Sequence, residues 1–230
     1  MIPLKRALSS PVGRKFVMSI SGIALVLFVI VHLLGNLTLY VPDGGETFNR
    51  YAAGFDAIGP ALYVIELGLL AVIVIHIGWG ITTALKNRKA RPDDYAVSVN
   101  SKGGPSNLSL ASKNMIVTGV ALGIFLVVHI WHFRIRKIYV ADNTEIDGQQ
   151  HADLYALVHT AFSDPFWVAF YVGAMVFFGF HLRHGFWSTL QSLGAMKPEW
   201  SKGIYALGFL VAVVLTVGFM GIPLYIYFLA

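Results

Sequence analysis

Four histidines stand inside otherwise apolar stretches of this chain, His32, His76, His129 and His181. A neutral imidazole is the commonest protein ligand for transition metals, and an ionisable side chain in an apolar setting is a functional candidate by default. The sequence has no cysteine, which excludes a disulfide, a thiolate zinc site and an iron–sulfur cluster held by the chain itself. Any redox metal must therefore sit on histidine. The remaining four histidines, His132, His151, His159 and His184, fall at the ends of apolar runs or between them.

The elements that carry these imidazoles follow from composition. Of 230 residues, 56% are hydrophobic and 13% charged, against about 25% charged in soluble domains. A mean hydropathy of +0.67 argues against a disordered chain, a nucleic-acid module and an ordinary cytosolic enzyme. Runs long enough to cross about 30 Å of hydrocarbon are predicted at 16–39, 60–85, 114–133, 165–190 and 204–229. Glu66 is the only acid within them. Each run is apolar around its whole circumference, and in lipid the backbone must satisfy its own hydrogen bonds, so the runs read as helices. The expected fold is an all-α integral membrane protein, a five-helix bundle forming a single membrane domain over 1–230. The first run is too long for a signal-peptide core and no small-residue cleavage pattern follows it, so it is expected to remain as a membrane helix.

Basic residues assign the direction. Lys5, Arg6, Arg14, Lys15, Lys86, Arg88, Lys89, Arg91, Lys102, Lys113, Arg183, Lys197 and Lys202 fall on one side, and only Arg50, Arg134, Arg136 and Lys137 on the other. The positive-inside rule puts the amino terminus in the cytoplasm and the carboxyl terminus outside, as in a bacterial-type cytoplasmic membrane. With about 1.5 Å of rise per residue, depth can be read from position. His32 and His129 come late in outward-running helices and lie toward the outer face. His76 and His181 come late in inward-running helices and lie toward the inner face. Four histidines thus sort into two same-depth pairs, their levels separated by roughly 10 to 15 Å. A lone membrane histidine is commonly a packing residue, but matched depths on four helices point to bis-histidine ligation. Haem suits such a gap, since its iron takes two axial imidazoles and its macrocycle fills apolar space.

A repeat between the first and third helices supports this. Ser21-Gly22 and Thr118-Gly119 stand at equivalent places before His32 and His129, with each glycine about 15 Å from its own histidine and level with the other pair. Gly22 and Gly119 are expected to admit the edge of an inner macrocycle. His76 and His181 are each followed four residues later by glycine, Gly80 and Gly185, on the same helix face. Close helix packing would also explain these glycines. Ser19, Ser21, Arg183 and His184, with Lys15 and Lys113, fall near the inner boundary and would suit haem propionates or a quinone there. His132 falls near the outer boundary with a comparable potential role. Glu66 lies in the second helix, where burial would make it a proton-handling group, and Glu46 and Asp56 in the outer loop are further candidates for receiving quinol protons.

The segments Val31-His32-Leu33-Leu34-Gly35-Asn36, Gly45-Glu46-Thr47-Phe48-Asn49, Ile75-His76-Ile77-Gly78-Trp79-Gly80, His129-Ile130-Trp131 and Phe180-His181-Leu182-Arg183-His184-Gly185-Phe186-Trp187 together resemble the cytochrome b subunit of succinate dehydrogenase and fumarate reductase. Within that family the chain is similar to the five-helix, single-anchor, di-haem type, over nearly its whole length. The resemblance implies two haem b groups, a distal one on His32 and His129 and a proximal one on His76 and His181. It further implies menaquinone or another quinone as substrate. Its implied partners are a flavoprotein subunit that interconverts succinate and fumarate and an iron–sulfur subunit, both on the cytoplasmic face. The anchor would be the quinone-reactive part of that enzyme, with no succinate-oxidising site of its own, and would be compatible with a homo-oligomer of the whole complex. Some fumarate-reducing relatives carry a glutamate two residues before the fourth ligand for transmembrane proton return. Here that place is Gly179, so the resemblance does not carry that route over. Two other readings keep the histidines: the cytochrome b anchor of a hydrogenase or formate dehydrogenase, and a haem-free histidine-containing transporter.

Overall fold

A computed structural model of the chain describes residues 3–89, 114–139 and 142–229. Arg91, Lys102 and Lys113, counted above on the basic side, lie outside the described residues. Five helices are long and apolar enough to cross a membrane. The first is α2 (Pro11–Asn36), preceded by the short α1 (Leu4–Ser9) and extended by a 3-10 turn over Leu37–Tyr40. It starts where Ser10 accepts a hydrogen bond from the Gly13 amide and Pro11 supplies a preset φ, a capped entry that places the start five residues before the apolar run itself. The second spanning helix is α4 (Pro60–Lys89). The third begins as α5 (Met115–His129), passes through a π-helical turn over Ile130–Ile135 and ends as α6 (Arg136–Tyr139). It therefore runs six residues beyond the expected end. The fourth, α8 (Pro165–Ser192), is capped by Asp164, whose carboxylate accepts from the Phe166 amide at 2.8 Å. The fifth, α9 (Pro198–Leu229), starts earlier than expected and keeps Pro223 within it.

In this bundle α8 is central, packing against α2, α5 and α9, whereas α4 leans on α2 and touches α5 more lightly. None of the apolar window of α4 is buried. Its outward side chains, such as Val64, Leu67, Val74 and Leu85, are exposed, as a helix facing lipid requires.

The main core lies toward one end of the bundle. It joins Leu33, Leu39, Val168, Tyr171, Leu215 and Ile222 of the long helices to Phe48, Val158 and Phe162 of the connections. These connections are ordered as a cap: α3 (Glu46–Asp56), a hairpin of β1 (Asn143–Ile146) and β2 (Gln149–Ala152), and α7 (Leu154–Phe162). The antiparallel hairpin pairs Ile146 with Gln149 across Asp147-Gly148, both with positive φ (52° and 77°). That is the Asp-Gly turn whose twist matches two paired strands. An all-α expectation missed this pair of strands although its turn signal stands in the sequence.

The cap is tied across the two connections by one buried amide. Asn49 of α3 donates to Asp153 at 2.8 Å and accepts from the Tyr155 amide at 2.9 Å. The same Asp153 oxygen caps α7 through the Ala156 amide. At the other end of the bundle, where the chain begins, no described cap of this kind covers the helix ends.

Candidate functional site

The four helices bring the membrane histidines together two by two. Near the amino-terminal end, His76 of α4 faces His181 of α8 with ring centroids 6.3 Å apart and planes at 69°. Toward the cap, His32 of α2 faces His129 of α5 at 5.8 Å and 87°. A metal–imidazole bond of about 2 Å, added to a ring-centre-to-nitrogen distance of roughly 1.1 Å, puts two ligands on opposite sides of one metal with centroids about 6 Å apart. Both pairs have that spacing. Among the described residues no three His, Asp or Glu side chains converge on one point, so a site built from protein ligands alone, which needs three or four, is not formed there. Two opposed imidazoles fit an iron whose other positions a macrocycle fills. The two levels share helices. Ser21, which touches His76, and His32 are eleven residues apart on α2, about 16 Å along the axis.

The surroundings of the two pairs differ. His76 Nδ1 lies 3.0 Å from Ser21 Oγ, and His181 Nδ1 lies 3.2 Å from Thr118 Oγ1. The neighbouring glycines lie beside the same two rings: a Cβ on Gly22 would stand 3.6 Å from His76 Cε1, and one on Gly119 would stand 3.4 Å from His181 Cε1. The repeat noticed between the first and third helices is thus a repeat of contacts to the opposite pair. Gly22 and Gly119 abut the imidazole edges themselves. At Gly80 and Gly185 a Cβ would meet nothing within 4 Å. Close packing between helices is therefore not what these two glycines serve.

At the capped end the rings rest on carbon. His32 stacks on Phe28 at 5.4 Å, and His129 on Phe125 at 5.5 Å. Both phenyls come four residues earlier on the same helix, so each ring is held by its own preceding turn. Phe219 flanks His32 at 5.8 Å, and Phe133 and Tyr171 flank His129 at 5.4 and 6.0 Å. Asn36 commits its amide to the His32 carbonyl at 2.7 Å and reaches the ring only at the 3.5 Å limit. Buried His129 Nδ1 has no hydrogen-bond partner.

His132 is enclosed within the protein. It is 1% exposed, enclosed by Trp167, Phe133 and Tyr171, with the tyrosine hydroxyl 3.4 Å from its Nδ1. The π turn immediately after His129 carries it, and a wider turn of this kind, frequent at functional sites, is not readable from hydrophobic periodicity. His184 is half-buried with its Nδ1 unpartnered beside Trp187. Ser19 is buried, and Arg183 is exposed over the ring of Phe209. Arg14 was grouped only with the basic side of the sequence, yet it is buried with one guanidinium nitrogen unpartnered.

The three acids considered for proton handling are all ion-paired. Glu66 receives a two-pronged contact from Arg134 at 2.8 and 2.9 Å, with its side chain 37% exposed. Asp56 binds Lys137 at 2.8 Å and lies 3.7 Å from His151, and Glu46 shares Arg50 with Asp147. At Gly179 a Cβ would come within 2.7 Å of Thr216 Oγ1, so α8 and α9 approach each other closely there.

Comparison with known proteins finds no matching family model, no matching curated protein and no matching solved structure.

Proposed function

We propose that this chain is a di-haem membrane cytochrome b that anchors a succinate:quinone oxidoreductase and relays electrons between an iron–sulfur subunit and a quinone. The observation that carries the proposal is the pair of facing imidazole couples, set at two levels on four apolar helices. Each haem, when bound, would supply a one-electron couple suited to electron transfer. The residues of the chain do the rest. His76 and His181 hold one group toward the amino-terminal end, and His32 and His129 hold the other beneath the cap. Phe28, Phe125, Phe133 and Phe219 keep water from the second couple. The half-buried His184 and the buried Ser19 lie at the amino-terminal end, where carboxylates of a macrocycle or oxygens of a quinone would need donors.

The choice of succinate or fumarate, of menaquinone or another quinone, and of flavoprotein and iron–sulfur partners on the basic face rests on the sequence resemblance. A reduced-minus-oxidised difference spectrum tests the whole reading. Membranes containing the complex are reduced first with succinate and then with dithionite. Low-spin b-type bands, with two haems per chain and part of the signal reduced by succinate, are expected. A colourless protein that moves a solute in liposomes would overturn the reading, and haem reduced by hydrogen or formate but not by succinate would replace the donor.

A further inference from the structure

The hydroxyls beside His76 and His181 each stand within hydrogen-bond reach of both a helix carbonyl and an imidazole Nδ1. Ser21 Oγ lies 3.0 Å from the Met18 carbonyl as well as 3.0 Å from His76 Nδ1. A carbonyl oxygen only accepts, and a hydroxyl has one proton, so when Ser21 donates to Met18 it offers a lone pair to the imidazole. In that arrangement His76 Nδ1 carries the proton. Thr118 repeats the arrangement. Its hydroxyl lies 3.2 Å from the Asn114 carbonyl and 3.1 Å from that of Met115, and 3.2 Å from His181 Nδ1. Both hydroxyls are buried, 6% and 4% exposed as residues, so water does not compete for these bonds. With Nδ1 protonated in each ring, both lone pairs available for a metal reside on Nε2.

We infer that Ser21 and Thr118 are positioning residues that fix the Nε2 tautomer and ring orientation of the His76–His181 couple and so set the redox potential of the haem held there, leaving the His32–His129 couple untuned. This rests on the proposed function. The physical basis is the outer-shell effect: a partner accepting from the second ring nitrogen fixes the tautomer and raises the basicity of the ligand. A more basic imidazole favours the ferric state, so the two hydroxyls hold that haem's potential down. In the capped couple, among the described residues, buried His129 Nδ1 is unpartnered and the His32 ring meets only the Asn36 amide nitrogen, a donor, at 3.5 Å.

The test is a potentiometric titration of the purified haem-loaded complex, followed by optical and low-spin EPR signals, with the haem count determined separately. In the Ser21→Ala/Thr118→Val double variant, the ratio of reduced to oxidised His76–His181 haem at a fixed ambient potential should rise about tenfold, which is about 59 mV for one electron. The other haem should stay where it is. Selective loss of the His76–His181 haem would support the same role, and the exchanges Ser21→Thr and Thr118→Ser, which keep the hydroxyls, should restore the unaltered potential. Thr118→Val alone, nearly isosteric, gives a smaller shift of the same sign and serves if the double variant does not assemble. Two retained haems with unmoved potentials, or an equal shift in both, would overturn the inference while leaving the proposed function standing. Absence of haem from the unaltered protein would overturn both.

Discussion

At His76 and His181 each Nδ1 meets a buried hydroxyl, whereas at His32 and His129 each ring lies against a phenylalanine one turn away. Both couples draw on α2, α5 and α8, the first adding α4 and the second Phe219 of α9, so the contrast is read from the residues that touch each ring. A hydrogen bond constrains a ring in direction and tautomer through one atom; aromatic packing constrains it through many contacts, each worth little alone. The amino-terminal couple should therefore respond sharply to loss of one oxygen. The capped couple should respond instead to loosening of the core that continues into the cap through Phe162, which packs on Tyr171 at 5.0 Å and Phe133 at 5.9 Å.

On the proposed di-haem reading, on which the spectral predictions below also rest, the largest effect expected is loss of a whole group. His76→Ala should reduce the haem-to-protein ratio from two to one and remove the component with the hydroxyl-supported ligands, and His32→Ala should remove the other. Pyridine haemochrome quantification with low-temperature spectra checks this. If both variants lost the same spectral component, the division into two couples would be wrong.

Next in size is Gly45→Ala, which strikes the cap. Gly45 sits at φ 91° before α3, and an added Cβ would collide with Cγ of Tyr155 close to that residue's backbone, where the ring cannot swing aside. The left-handed conformation costs an L-residue about 1–2 kcal/mol before any collision is counted. A loss of about 2–3 kcal/mol in cap stability, seen as faster amide exchange in α3 and α7, is expected. The spectrum of the His32–His129 haem should broaden while that of the other remains sharp. Equal broadening of both would erase the distinction between a packed and a tethered couple.

Asn49→Ala sharpens the same comparison more gently. It removes the donor to Asp153 and the acceptor for the Tyr155 amide, and buried groups left without partners cost about 1–3 kcal/mol. Thermal unfolding of the complex should begin earlier, with the capped haem released first. Simultaneous release of both would argue that the cap stabilises the bundle as a unit.

Much of the arrangement was legible because membrane helices are governed by few rules. Length and hydropathy place the five spans, and a constant rise converts the positions of His32, His76, His129 and His181 into levels. Helix ends were less legible. Ser10 and Pro11 extend α2 beyond its apolar run, and the π turn after His129 carries the third helix on to Tyr139, because caps and widened turns depend on local hydrogen bonds that hydropathy does not record. The repeat Ser21-Gly22 and Thr118-Gly119 was visible, but its purpose was not. Which ring a hydroxyl reaches depends on how helices face one another, a property of packing. Glu66 shows the same limit: an acid in an apolar run suggests burial, yet its partner Arg134 comes from another helix 68 positions later.

The smallest expected effect concerns the turn into α3. The Thr47 hydroxyl, assisted by the Thr47 and Gly45 amides, holds the Asp43 carboxyl below the ordinary carboxylate value of 3.8. A carboxylate whose folded value is depressed adds stability that is fully present above its unfolded value and disappears as pH falls through the folded one. Asp43 should therefore help order this turn above about pH 4 and cease to do so in more acid solution. Thr47→Val removes the largest contributor but leaves the two amides, so the carboxyl should titrate closer to 3.8 without reaching it. Carboxyl NMR of the labelled complex reads the shift directly, and an unchanged midpoint in the variant would remove the hydroxyl from this role. Because the amino-terminal couple is held by neutral hydroxyls rather than by a carboxylate, its haem spectrum should stay constant across that pH range even while the cap turn loosens.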